Sequence, residues 1–170
     1  GEAALISGVQ IWLSEIHGMA QRGGVVESAL VFGEATSSII SDGEADILLG
    51  FEPAETLRAL NRCNKDTKVI TNTATLPPFT VSIGKGVYPD VENIKALLKE
   101  KCAGLVAIDA MKLAKEAGSP MSVNIVLLGA LIQSGSLGFS KENVIEAIKR
   151  RTKKAFLDKN LNAFELGFVA

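Results

Sequence analysis

Along its first 108 residues the chain alternates short β-rich runs with stretches of helical periodicity, and after Asp109 it carries helical patterns alone. That order restricts the fold more than any other feature, because strands separated by helices pair in parallel and need helices to cover their sheet. Residues 9–13 and 25–32 are β-branched or aromatic and bounded by glycines, so both read as strands, with a turn at 33–36. Residues 47–49 form a short apolar run ending at Gly50, and Pro53 is suited to open a helix over 54–61 from its first turn. The unit recurs as strand 68–72, amphipathic helix 91–101 and strand 105–108. The expectation is an α/β fold, a mainly parallel sheet with helices on both faces and a helical C-terminal third.

That last third has its own punctuation. Asp109 is placed to cap a helix over 110–117, which Gly118 and Pro120 end, and Ser122 or Asn124 begins an uncharged helix reaching Gln133 that should be buried all round. Ser140 is a good cap for 141–151, where Val144, Ile145 and Ile148 make one apolar stripe. In a final segment, 155–166, Phe156, Leu157, Leu161 and Phe164 recur at near-helical spacing. Phe156, Phe164 and Phe168 read as core packing or, alternatively, as a docking surface.

At 170 residues the chain is expected to be a single domain, 1–170. Its 18 basic and 19 acidic side chains nearly cancel, which argues against a nucleic-acid binder. The longest nearly uncharged apolar stretch, 121–132, falls well short of the roughly 20 residues of a membrane span. The charge is nonetheless uneven. Residues 1–60 hold two basic against nine acidic side chains, and 141–160 hold seven basic against three. Solvated helix faces explain this, as would an anionic ligand or partner at one end. Two cysteines, Cys63 and Cys102, are too few for a disulfide framework or for a cluster that takes four thiolates. A reducing cytoplasmic setting is expected, with one bridge as the alternative, and no metal ligands are assigned.

The densest polar cluster is Ser-Glu-Ile-His-Gly-Met-Ala-Gln-Arg-Gly-Gly at 14–24, between the first two strands. A loop leaving a parallel strand is where open α/β sheets bind ligands. Gly23 and Gly24 permit close backbone approach to a phosphate or carbonyl, and Arg22 offers a bidentate clamp for an anion. A plain turn accounts for the same residues. His17 reads as a hydrogen-bonded loop histidine ahead of a general base, since spacing assigns it no partner. Gly84-Lys85-Gly86 lacks the hydroxyl residue and the lead of a phosphate loop.

The 14–24 segment resembles the signature of the β subunit of indolepyruvate:ferredoxin oxidoreductases, equivalent to the γ subunit or domain of 2-oxoacid:acceptor oxidoreductases. Residues 44–53, 124–130 and 163–167 are similar to further family segments, in the same order along essentially the whole chain. Members usually begin with a strand and a Gly-x-Gly-Gly-Gln-Gly loop before a helix whose end corresponds to 1–8. Both strand and loop are absent from this sequence, so a gap is expected beside strand 9–13 if they belong to the native protein.

The resemblance implies oxidative decarboxylation of a 2-oxoacid with coenzyme A, giving an acyl-CoA, carbon dioxide and two electrons for ferredoxin. It also implies that a larger α subunit holds thiamine diphosphate and the iron–sulfur clusters, because this chain lacks a Gly-Asp-Gly…Asn-Asn thiamine motif and has only two cysteines. This chain would bind neither cofactor alone, would close the active site and would help bind coenzyme A. Under the resemblance Gln21, Arg22, Gly23 and Gly24 face the partner's active site. Phe51 and Glu52, with Asn72 and Thr73, end the next two strands and should share that sheet edge. Structural roles compete there, Pro53 as helix opener and Asn72 as turn former. No catalytic residue is assigned. A free-standing nucleotide- or dinucleotide-binding protein is the alternative, though it needs a Gly-rich loop after the first strand and an acidic residue about twenty positions on. A scaffold that contacts no ligand is the third reading.

Overall fold

Three strands, β3 (Ala45–Gly50), β4 (Cys63–Asn72) and β5 (Gly104–Ile108), pair in parallel with β4 in the centre. The register runs from Ile47 opposite Lys68 to Gly50 opposite Thr71, and from Lys68 opposite Gly104 to Asn72 opposite Ile108. The computed structural model describes residues 1–18 and 26–170. Among these the helices are α1 (Glu2–Ile6), α2 (Pro53–Arg58), α3 (Phe79–Ser82), α4 (Val91–Lys101), α5 (Ala110–Glu116), α6 (Val123–Gln133), α7 (Lys141–Arg151) and α8 (Leu157–Phe168). None is long and apolar enough to cross a membrane.

Strand alternation assigns the layers. Val69 points to one face, where Ile94, Leu98 and Cys102 bury with Leu48, Leu57 and Leu105, bringing α2 and α4 onto the sheet. Its neighbour Ile70 points to the other face and packs with Ala110, Ala114, Val126, Leu127 and Ala163 of α5, α6 and α8. Helices therefore cover both faces, as the near-continuous apolar runs of β3 and β5 require. A third cluster of Ile132, Val144, Ile148 and Phe164 holds α7 against α6 and α8.

Several helix ends fall where the sequence places them. The side chains of Asp90, Asp109 and Ser140 each accept the backbone N–H of the residue three on, at 2.9, 2.8 and 3.1 Å. Ser122 differs. It occupies the position before α6, but its hydroxyl donates to Asn160 Oδ1 at 2.8 Å and caps nothing. The helix expected over 54–61 is shorter, Pro53–Arg58, and tightens into a 3-10 turn at Ala59–Arg62. Strand β4 starts earlier than expected, because Thr67 Oγ1 donates to Ala45 O at 2.6 Å and accepts from Asn64 N at 2.8 Å, stitching a polar stretch that has no apolar alternation.

The main topological correction concerns β1 (Ile11–His17) and β2 (Val26–Phe32). They pair antiparallel with each other, Ile11 opposite Phe32 and His17 opposite Val26, in a two-stranded sheet separate from β3–β5. The physical reason is that only eight residues separate the two strands in the sequence, whereas a parallel crossover needs a dozen or more residues. Hence the 14–24 segment does not leave a parallel strand. The hairpin is tied to the rest by Arg62, which reaches Glu27 at 3.2 Å and Asp42 at 2.7 Å, and by Phe32 edge-on to Phe139 at 5.1 Å.

α6 and α8 cross at backbone contact. A Cβ on Gly129 would lie 2.8 Å from Phe168 N, and one on Gly167 would lie 2.7 Å from Val126 C, so both positions require glycine for want of space. Phe164 is fully buried in this interface, Phe168 tilts against it at 6.1 Å, and Phe156 is half-exposed. The basic residues of α7 are partly spent on ion pairs, Lys141 to Glu165 at 2.6 Å and Arg150 to Glu146 at 2.8 Å. Lys149 and Arg151 stand in its last turn, where the helix dipole favours cations.

Candidate functional site

Parallel pairing puts the ends of β3 and β4 side by side, and there the structure brings together Phe51, Glu52, Asn72 and Thr73. Asn72 is buried and uses both ends of its amide. Its Nδ2 donates to Phe51 O at 3.0 Å, while Oδ1 accepts the N–H groups of Ala74 at 3.1 Å and Ala110 at 3.0 Å. One side chain thus joins the ends of β3 and β4 to the start of α5. Thr73 N donates to Ile108 O at 2.8 Å and prolongs the pairing with β5. Behind this edge Thr56 packs across Gly50 and its Oγ1 lies 2.7 Å from Thr71 Oγ1.

Glu52 caps α2 through Oε2, which accepts from Glu55 N at 3.0 Å. Its other oxygen holds the strap 73–90 over the edge, accepting Leu76 N at 3.2 Å and the Tyr88 hydroxyl. Tyr88 also accepts the Ala54 N–H at 3.3 Å. The strap turns Leu76, Phe79 and Val87 to solvent, and Phe51 beside them is half-exposed. The edge is therefore an apolar rim around a hydrogen-bonded floor made by Glu52, Asn72 and Tyr88. The sequence placed Glu52 here but gave Tyr88 no role; the signal it held was the position of this tyrosine just before the Pro89-Asp90 start of α4.

Burial, then the hydrogen bond to Glu52, pushes the Tyr88 phenol up to about 12. A phenol harder to ionise in the folded than in the unfolded chain contributes stability that is full below pH 10 and is lost as pH rises from 10 to about 12. Tyr88 is the single tyrosine, so its phenolate absorbance reads this group alone. The titration midpoint is expected near 12, and Tyr88→Phe should flatten the alkaline fall of the urea midpoint. A midpoint near 10 would contradict the Glu52 contact.

His17 is a strand residue, not a loop one, and its Nε2 lies 2.6 Å from Glu15 Oε1. Two residues apart on one strand face, the pair was available from period-two alternation. Gln21, Arg22, Gly23 and Gly24 lie outside the described residues. Among the described residues no three His, Cys, Asp or Glu side chains converge to hold a metal ion, and two thiols do not make the donor set of a four-thiolate cluster.

The fold is thus a parallel α/β sandwich whose carboxyl edge is strapped by 73–90 and rimmed by exposed apolar side chains. The chain belongs to the pyruvate ferredoxin/flavodoxin oxidoreductase family, whose model matches residues 1–170. It is 39% identical over 170 residues to indolepyruvate oxidoreductase subunit IorB of Methanothermobacter thermautotrophicus, covering 100% of this chain and 87% of that protein. It is 41% identical over 172 residues to the same-named subunit of Pyrococcus horikoshii, covering 100% and 85%. The γ subunit of a keto/oxoacid ferredoxin oxidoreductase from Geobacter sulfurreducens shares the fold with a TM-score of 0.67 at 23% identity, over 99% of this chain and 84% of that one. A 2-oxoglutarate:ferredoxin oxidoreductase chain from Magnetococcus marinus, solved with 2-oxoglutarate, coenzyme A and succinyl-CoA, matches with a TM-score of 0.64 at 20% identity, over 99% of this chain and 27% of that one.

Proposed function

We propose that this chain is the smaller subunit of an indolepyruvate or related aryl-2-oxoacid:ferredoxin oxidoreductase, which converts a 2-oxoacid and coenzyme A to an acyl-CoA, carbon dioxide and two electrons for ferredoxin. The observation that carries it is likeness along the entire chain to proteins named as subunits of that enzyme, at 39% and 41% identity. The larger subunit would supply thiamine diphosphate, which stabilises the carbanion, and the iron–sulfur clusters that move the electrons. Both cytoplasmic location and docking of ferredoxin on the complex belong to this reading.

This chain's part is positioning. Its carboxyl edge, with Phe51 and the 73–90 strap, meets the larger subunit, and Gln21, Arg22, Gly23 and Gly24 face the site, with Arg22 on a phosphate of coenzyme A or a carboxylate. The occurrence of the same fold within 27% of a longer oxidoreductase chain supports a unit that works beside others. A nucleotide-binding protein acting alone is the less favoured reading, and saturable NADH binding by the chain would favour it.

The test reconstitutes the chain with its larger partner. Ferredoxin reduction should require both, and the chain alone should reduce none. In the complex, Arg22→Ala should raise the KM for coenzyme A on the order of 10- to 100-fold, the worth of a charge-assisted contact. Ferredoxin reduction by the chain alone would overturn the reading, and an unchanged KM would remove Arg22 from it.

A further inference from the structure

The two cysteines, 39 positions apart in the sequence, meet in the core layer between the sheet and α4. Cys63 is the first residue of β4 and Cys102 caps the C-terminal end of α4. Both are free thiols packed into the same apolar cluster. Around them are Val69, Ile94 and Leu98, with Leu48, Leu57, Leu60 and Leu105 packed against the same cluster. Cys102 is buried, whereas Cys63 is only partly covered and open to a small reagent. They lie at the amino end of the parallel sheet, opposite the carboxyl edge, so a partner seated on that edge leaves Cys63 reachable.

We propose that Cys63 and Cys102 form a redox dithiol, which a small-molecule disulfide oxidises to an intrachain bridge that clamps the end of α4 to the start of β4. The Cys63 thiolate attacks one sulfur of the reagent, a mixed disulfide forms and one small thiolate departs. Cys102, after giving up its proton to solvent, attacks the Cys63 sulfur and expels the second small thiol. The protein loses two protons and two electrons, and the reagent becomes two thiols. The bridge closes a ring through β4, the 73–90 strap and α4, so it fixes the element that leads out of the strap.

Burial, followed by the neighbouring Cys102, pushes the Cys63 thiol up to about 11. Only a small thiolate fraction exists near neutrality, and the rate should climb about tenfold per pH unit between pH 7 and 10. The pair is thus inert to brief exposure and responds to a sustained oxidising shift.

The experiment treats the full chain, in complex with its larger subunit, with oxidised glutathione at pH 7, 8 and 9 and reads the mass of this chain. The expected product has lost two hydrogens, maps to a peptide joining Cys63 and Cys102, forms faster at each higher pH, and reverts with a reducing thiol. The bridged chain should melt about 5–10 °C higher, as closure of a ring of this size implies. Cys63→Ser should give no adduct, and Cys102→Ser should stop at the mixed disulfide. A stable glutathione adduct on wild-type Cys63, a bridge between two chains, or no reaction overturns the proposal. A bridge that leaves the melting temperature unchanged overturns the clamp.

Discussion

Gly167→Ala is expected to cost about 3 kcal/mol or more, a large share of the roughly 5–15 kcal/mol that holds a domain together. Its new methyl would sit 2.7 Å from the carbonyl carbon and 2.9 Å from the Cα of Val126, and inside the contact shell of that carbonyl's oxygen. No side chain can swing aside, because the obstacle is the backbone of α6. Relief requires α6 and α8 to separate, which loosens the burial of Val126, Leu127, Ala163 and Phe164 between them. Overpacking of this kind generally costs about 1–3 kcal/mol where the neighbours can move, and here they cannot. The measurement is the urea midpoint of the variant against wild type. Gly138→Ala is the control, since a Cβ there meets nothing within 4 Å and should shift stability by no more than about 0.5 kcal/mol. Equal midpoints for the two variants would show that the helices do not touch at Gly167.

Asn72→Ala should cost about 3 kcal/mol. It leaves the amide of fully buried Ala110 unpaired, at about 1–3 kcal/mol, and takes away the partners of the part-buried Phe51 carbonyl and Ala74 amide as well. The loss is local as well as global. Exchange of the Ala74 and Ala110 amides with solvent should speed up well beyond that of the sheet amides at Val69 and Ile70. Asn72→Asp keeps the acceptor oxygen for both amides and should retain their protection better, while losing the donor to Phe51. If the two variants exchange alike, Oδ1 does not hold the start of α5.

The α/β class was legible because it rests on periodicity. Val69 and Ile70 are adjacent and point to opposite core layers, a demand that period two makes of any strand covered on both faces. The caps at Asp109 and Ser140 were legible for the same local reason, since each needs only the N–H three residues on. The hairpin of β1 and β2 was misread as part of the parallel sheet although its short connection was visible, because composition gives a strand's existence and not its partner. At the site, residue type pointed to Glu52 and Asn72, but their contacts with Tyr88 and Ala110 span 36 and 38 positions and follow only once the strap and α5 are placed.

By itself the sequence determined what depends on a few neighbouring residues: the order of strands and helices, their capped ends, the shortage of thiolates for a cluster, and the family motifs. Tertiary structure alone decided which strands pair, which glycines carry a helix crossing, and that Cys63 and Cys102 meet. Those contacts join residues dozens of positions apart, and their geometry is fixed by how whole layers pack rather than by any local preference of the chain.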